Sequence, residues 1–144
     1  MPDPDHPAIL VSNRQSTPVD EGDLVALARA TLLAEGVGRC ELSVSFVGDD
    51  EMAELHRRFM GEEGPTDVLS FPLHEVDEGD MLVLGDVVIA PDTAARNNPA
   101  DPQGELRLLI VHGVLHILGY DHEADDERAE MWARQERYSG VRVP

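Results

Sequence analysis

Apolar residues along the chain recur with two periods, and the switch between them marks out the elements. Ala8–Ser12 is a short apolar run that follows two prolines and reads as a first strand. Thr17-Pro-Val-Asp breaks the chain. From Asp20 to about Glu35, Leu24, Leu27, Ala28, Leu32 and Leu33 fall at helical spacing, and Gly36 and Gly38 supply the stop. Leu42–Val47 alternates and predicts a half-buried strand. Asp49 is placed to cap a helix that runs to about Met60, with Glu51 and Glu54 near its positive end. Gly61–Pro65 predicts a loop, and Asp67–Phe71 a short strand closed by Pro72. Glu75–Asp80 is acidic and reads as an exposed turn. Met81–Ala90 is strand-like, with Gly85-Asp86 interrupting it. Pro91 and Asp92 open a short helical piece that Asn97-Asn-Pro ends. Glu105–Leu118 predicts a strong helix stopped by Gly119. A last helix starts at Asp125 or Asp126 and runs to about Tyr138, with Met131 and Trp132 as packing residues, and the tail after Gly140 reads as loose. Strands come early and helices enclose them, which predicts an α+β fold with one small mixed β-sheet.

Length adds that the 144 residues form one domain, 1–144, large enough to hide roughly two-thirds of the unfolded surface. The lone cysteine, Cys40, excludes an internal disulfide framework. The first residues carry no basic segment followed by an apolar run, so no secretory signal is expected. No stretch approaches the roughly 20 apolar residues that span a bilayer. Together these features predict a soluble, cytoplasmic protein without a membrane partner. Charge changes the picture more. Twenty-nine acids stand against 11 bases for a net charge of −18, and every base is arginine. Such a balance opposes indiscriminate binding to phosphate backbones or anionic membranes.

The chemistry is concentrated in His112-Gly-Val-Leu-His116-Ile-Leu-Gly119-Tyr-Asp-His122, which holds half of the six histidines. Residues four apart share one helical face, so His112 and His116 can address one ion. Gly119 can turn the chain sharply and return His122 toward the pair. Three nitrogen ligands with an open fourth position describe a catalytic zinc site, one Zn2+ per chain, on a zincin-like metal helix. A structural site is the competing reading, although such sites usually recruit cysteine. The spacing also matches the metzincin pattern H-E-x-x-H-x-x-G-x-x-H, except that Gly113 stands where the glutamate general base belongs. Asp121 and Glu123 are nearby acid–base candidates.

The histidine motif, with the following Glu123-Ala-Asp-Asp-Glu and Met131, resembles the YbeY family of rRNA maturation endoribonucleases. Pro65-Thr-Asp-Val-Leu-Ser-Phe-Pro72 resembles the family's second signature, and Leu84-Gly-Asp-Val-Val-Ile89 its third. These cover roughly residues 40–138 in family order. The resemblance implies a zinc-dependent, single-strand-specific endoribonuclease acting in late small-subunit (16S) rRNA maturation and ribosome quality control. It carries the metal ligands onto His112, His116 and His122, and implies rRNA, the small ribosomal subunit, a ribosome-assembly GTPase and a ribosomal protein as partners. Many members have an arginine where this chain has Met60; Arg57 and Arg58, a turn earlier, are the candidate substitutes, though a helix points neither in Met60's direction.

Other residues keep two readings. Thr66, Asp67 and Ser70 either line a substrate cleft beside the metal or cap and turn the chain. Asp86 either supports a ligating histidine, a role also open to Asp121, or marks a bulge. Arg128, Arg134 and Arg137 either contact RNA or form a solvated face, with Glu130 and Arg134 spaced for an i,i+4 pair. Two other functions stay open: a zinc hydrolase of peptides or amides, against which Gly113 counts, and a non-catalytic ribosome assembly factor with a structural metal. For an RNA enzyme this acidic, the expectation is weak affinity for free RNA with strong dependence on magnesium and salt.

Overall fold

Leu42, Val44 and Phe46 turn to the buried side of their strand while Glu41, Ser43 and Ser45 stay half-buried, and this alternation sets the layers of the molecule. The computed structural model describes residues 6–120 and 125–141. In chain order these form β1 (Ala8–Arg14), α1 (Glu21–Ala34), β2 (Glu41–Val47), α2 (Asp49–Met60), β3 (Val68–Val76), β4 (Leu82–Ile89), α3 (Pro91–Asn97), α4 (Pro102–Ile117) and α5 (Asp125–Ser139). The sheet has the order β1-β2-β4-β3. β1, β2 and β4 run parallel, and β3 is antiparallel to β4. The α+β class and the mixed sheet are as the sequence predicts.

On one face of the sheet, Leu42, Val44 and Phe46 of β2 and Leu84, Val87 and Ile89 of β4 pack with the apolar sides of α1 and α4, and Met131 of α5 joins the same core. On the other face, Met52 and Leu55 of α2 cover Val47, Leu69, Val88 and Ala90. α4 is therefore the central helix. Its buried residues run from Gly104 to Ile117 on nearly every side, which is why its sequence reads as apolar throughout.

Four boundaries or contacts differ from expectation, each for a local reason. β3 continues past Pro72 to Val76, because β3 is an edge strand and its register shifts between Pro72 and Glu75. A proline at an edge or bulge forfeits no ladder bond. α4 begins at Pro102 rather than Glu105. Asp101 caps it, its side chain accepting from Gly104 N at 3.0 Å, with the proline at the first helical position. Asp49 does not cap α2; Gly48 occupies that position. The Asp49 carboxylate instead meets Thr93 Oγ1 at 2.8 Å and Arg96 at 2.7 Å. Burial alone would raise the Asp49 carboxyl, but Arg96 and Thr93 overcome it and hold it below its ordinary value. Trp132 is 45% exposed, with the Arg128 guanidinium 5.9 Å from its ring, because Met131 and not its neighbour has the helical phase that faces α4. Residues 142–144 lie outside the described residues.

Candidate functional site

His112 and His116 lie half-buried on one face of α4, between buried residues on either side. Their ring centroids are 4.7 Å apart with planes at 68°, as side chains one turn apart on a shared face must be. They line a cavity of about 290 Å3 together with Met60, Val68, Leu69 and Ser70. The two histidines come from α4, Met60 from the last turn of α2, and the remaining three from β3. The cavity therefore lies where an edge strand, the central helix and a helix end meet.

The helix ends one residue after His116 and its exit is closed in two ways. Gly119, at φ 103°, donates to His116 O, and Tyr120 N donates to Leu115 O, both at 3.0 Å. That paired pattern with a left-handed glycine turns the chain abruptly out of the helix axis. His74 of β3 also donates from Nε2 to Ile117 O at 2.6 Å, satisfying a terminal carbonyl from the sheet side. The turn is thus the one expected from Gly119. His122, Asp121 and Glu123 lie outside the described residues.

Gln135 of α5 is the site residue that the sequence did not announce. Its side chain is 4% exposed, and its Oε1 sits 2.8 Å from His112 Nδ1. The available signal was phase: Gln135 falls four residues after Met131 and so shares the buried stripe of α5, where a polar residue needs a partner.

Gly113 explains why the metzincin glutamate is missing. A Cβ at this position would stand 2.6 Å from Val87 Cγ1 and 3.3 Å from Ser70 Oγ, so α4 approaches the sheet so closely that any side chain here must displace Val87. Ser70 fills the adjacent space and donates from Oγ to Gly113 O at 3.3 Å. The residue after His112 therefore faces the sheet, against Val87 and Ser70.

The remaining candidates separate clearly. Ser70 is in the cavity wall. Thr66 and Asp67 are not; they sit at the entry to β3, where Asp67 O accepts from Ala90 N at 2.9 Å and its carboxylate from Asn97 Nδ2 at 3.4 Å. They turn and tie the chain. Arg57 is exposed and pairs with Glu54 at 2.7 Å, and Arg58 is exposed on the same helix end; neither lines the cavity, because Met60 takes the helical phase that does. Asp86 is exposed and pairs across the ladder with Phe71, while the neighbouring pair Ser70 and Val87 faces α4. It therefore sits on the opposite side of the sheet from the histidines, beside the register shift that β4 shows against Glu41 and Leu42. Arg134 turns inward: it pairs with Glu130 at 3.2 Å and with the nearly buried Glu35 at 2.7 Å.

Glu35 ends α1 and gathers three donors. Tyr120 OH reaches Oε1 at 2.5 Å, and Arg134 and Tyr138 reach Oε2. Burial pushes the carboxyl up, but the two tyrosines and Arg134 together bring it below 4.5, its ordinary value. In return, Tyr120 is pushed up to about 12. A depressed carboxyl contributes stability that is complete above its unfolded value and is lost as pH falls through the folded one. Glu35→Gln is therefore expected to lower Tm at neutral pH and to flatten the fall of Tm below about pH 4.5. Thermal melts of both chains between pH 3 and 7 check this; parallel curves would remove Glu35 from the account. Elsewhere, burial and then the charge of Asp67 push Glu105, in the first turn of α4, above the usual carboxylate range.

Among the described residues, no three His, Cys, Asp or Glu side chains stand close enough to hold a metal ion. The donor set still fits one. Two imidazoles share a face one turn apart, and one of them has its outer nitrogen engaged by an amide oxygen, the support that metal-bound histidines commonly have.

An α+β framework with a histidine pair on its central helix, at a cavity walled by an edge strand, defines the class. The family model for Endoribonuclease YbeY matches residues 10–140. The chain is 47% identical over 146 residues to the endoribonuclease YbeY of Frankia alni, covering 90% of this chain and 80% of that one. It is 46% identical to the Thermobifida fusca protein of the same name, covering 89% of each, and 42% identical to that of Mycobacterium tuberculosis, covering 90% and 80%. The solution structure of TM1509 from Thermotoga maritima superposes with a TM-score of 0.60 at 31% identity, covering 91% of this chain and 86% of that one. The chain belongs to the YbeY family.

Proposed function

We propose that the chain is a metal-dependent endoribonuclease that cuts single-stranded RNA during late maturation of small-subunit (16S) rRNA. Zinc is the metal, held by His112, His116 and His122. The observation that carries this reading is the placement of His112 and His116 together on the wall of one cavity, in a chain of this family.

A zinc ion held there would supply a Lewis acid for a phosphate oxygen and a bound water of lowered pKa. The chain's own residues do the rest. Met60, Val68 and Leu69 give the cavity an apolar wall against which a ribose or base can lie while water is excluded. Ser70 offers a hydroxyl beside the histidines. Among the described residues no arginine lines the cavity, so phosphate charge beside them would be met by the histidine-held ion and not by a side-chain cation. Hydrolysis of peptides is disfavoured by the close packing at Gly113, which excludes a glutamate general base. The net charge of −18 supports a protein that does not hold free RNA tightly and receives its substrate on the small ribosomal subunit, with an assembly GTPase or a ribosomal protein assisting. No helix among the described residues is long and apolar enough to cross a membrane, which is compatible with work in the cytoplasm.

The test pairs elemental analysis with cleavage of single-stranded and structured RNA, with and without a chelator. The expected result is about one zinc per chain, cutting of single-stranded RNA, and loss of cutting on chelation that added zinc restores. Purified chain without metal that cuts as well as zinc-loaded chain overturns the reading. Products ending in 2′,3′-cyclic phosphate would assign the attack to the RNA's own 2′-hydroxyl, and 5′-phosphate ends to water.

A further inference from the structure

The contact between Gln135 and His112 joins residues 23 apart in sequence on two different helices. With the amide oxygen as the facing atom, which can only accept, the bond calls for a His112 ring protonated on Nδ1, and in the neutral ring the lone pair is then on Nε2. Gln135 is also fixed in place from both sides. Before it, Arg134 binds Glu35, which also holds Tyr138, so α5 is locked to the end of α1. After it, Ser139 Oγ donates to Gln135 O at 2.6 Å, and Ser139 O accepts from Arg107 Nε at 3.2 Å. Arg107 in turn pairs with Asp23 of α1. One turn before Gln135, Met131 is fully buried in the core. These contacts hold the backbone of α5 at Gln135, and its side-chain oxygen, set against one ring nitrogen, then selects a tautomer and a ring orientation.

The geometry points to Gln135 as a positioning residue: it fixes His112 as the Nδ1–H tautomer and presents Nε2 as the nitrogen that binds metal. This rests on the reading of His112 as a ligand. The requirement is for an acceptor and not for an amide, so a carboxylate serves in its place, while an apolar side chain of the same length does not.

Two measurements on the full chain test this. Long-range 1H–15N correlation spectra of the metal-free protein, at a pH where His112 is neutral, report the tautomer directly. Competition with a chromogenic chelator reports zinc affinity. The wild type is expected to show Nδ1–H at His112, and Gln135→Glu to keep both the tautomer and the affinity. Gln135→Met is expected to shift His112 toward Nε2–H and to weaken zinc binding by roughly 10–100-fold, the usual effect of losing an outer partner of a ligating histidine. A role in packing alone would leave the tautomer unmoved. An Nε2–H ring in the wild type, or unchanged zinc affinity in Gln135→Met, overturns the inference. Should Gln135→Met not fold, loss of the Nδ1–H tautomer or of zinc affinity in Gln135→Glu overturns it instead. A wild type that shows Nδ1–H but takes up no zinc overturns the ligand role, and that failure of the metal reading is told apart by the intact tautomer.

Discussion

His116→Ala is expected to reduce RNA cleavage by more than about a hundredfold, since even an outer partner of a ligating histidine is commonly worth ~10–100-fold. Zinc content should fall with it. His116 is half-exposed at the cavity and the apolar residues around it, Leu115 and Ile117, carry the packing of that turn. The melting temperature of the metal-free variant should therefore stay within a few degrees of metal-free wild type. Zinc stoichiometry, single-turnover cleavage and melts of the two metal-free chains measure the three effects. The pattern matters more than any one value. Lost cutting in a folded chain fits an enzyme, whereas a variant that no longer folds fits an assembly factor whose metal holds the fold. Undiminished cutting would remove His116 from the reaction.

The second large effect concerns Gly113. Gly113→Ala pushes a methyl group into Val87, and overpacking of this kind costs roughly 1–3 kcal/mol, or about 3–10 °C in Tm for a chain of this size. Gly113→Glu, which would complete a metzincin-like motif, should do worse. Its side chain must enter a packed helix–sheet contact, and a carboxylate buried without a partner costs several kcal/mol more. It is expected to lose the cooperative melt and to gain no peptidase activity. A Gly113→Glu chain that melts like wild type and hydrolyses amides would bring back the hydrolase reading. Since Gly113 O also accepts from Ser70, the same variants report whether β3 and α4 move as one piece.

What could be read from the sequence was what is written locally. The alternation from Leu42 to Val47 needs only its own residues to reveal a strand with one buried face, and the spacing of His112 and His116 needs only a helix. The extent of β3 is different: Pro72 ends a strand in the interior of a sheet but not at its edge, and edge position is a property of the whole sheet. Asp49 had the composition of a cap, yet α3 supplied it with better partners in Thr93 and Arg96, from far along the chain. Asp86 could not be assigned to a face without the register, and the bulge beside it shifts that register. Gln135 was hidden for the same reason. Its phase with Met131 marks it as buried and in need of a partner, but which partner appears only when α5 lies across α4.

The break in β3 has a consequence for how the molecule keeps to itself. β3 ends the sheet, and its outer side carries Leu73 and Val76, both well exposed. A flat, apolar strand left open at a margin is a template on which further strands can polymerise. Here Pro72 offers no amide hydrogen, His74 takes a φ of 53°, and the pairing slips before Glu75, so a strand added at this margin would meet a broken ladder over the second half of β3. The strand that walls the cavity thus carries in its own backbone the irregularities that disfavour edge-to-edge pairing.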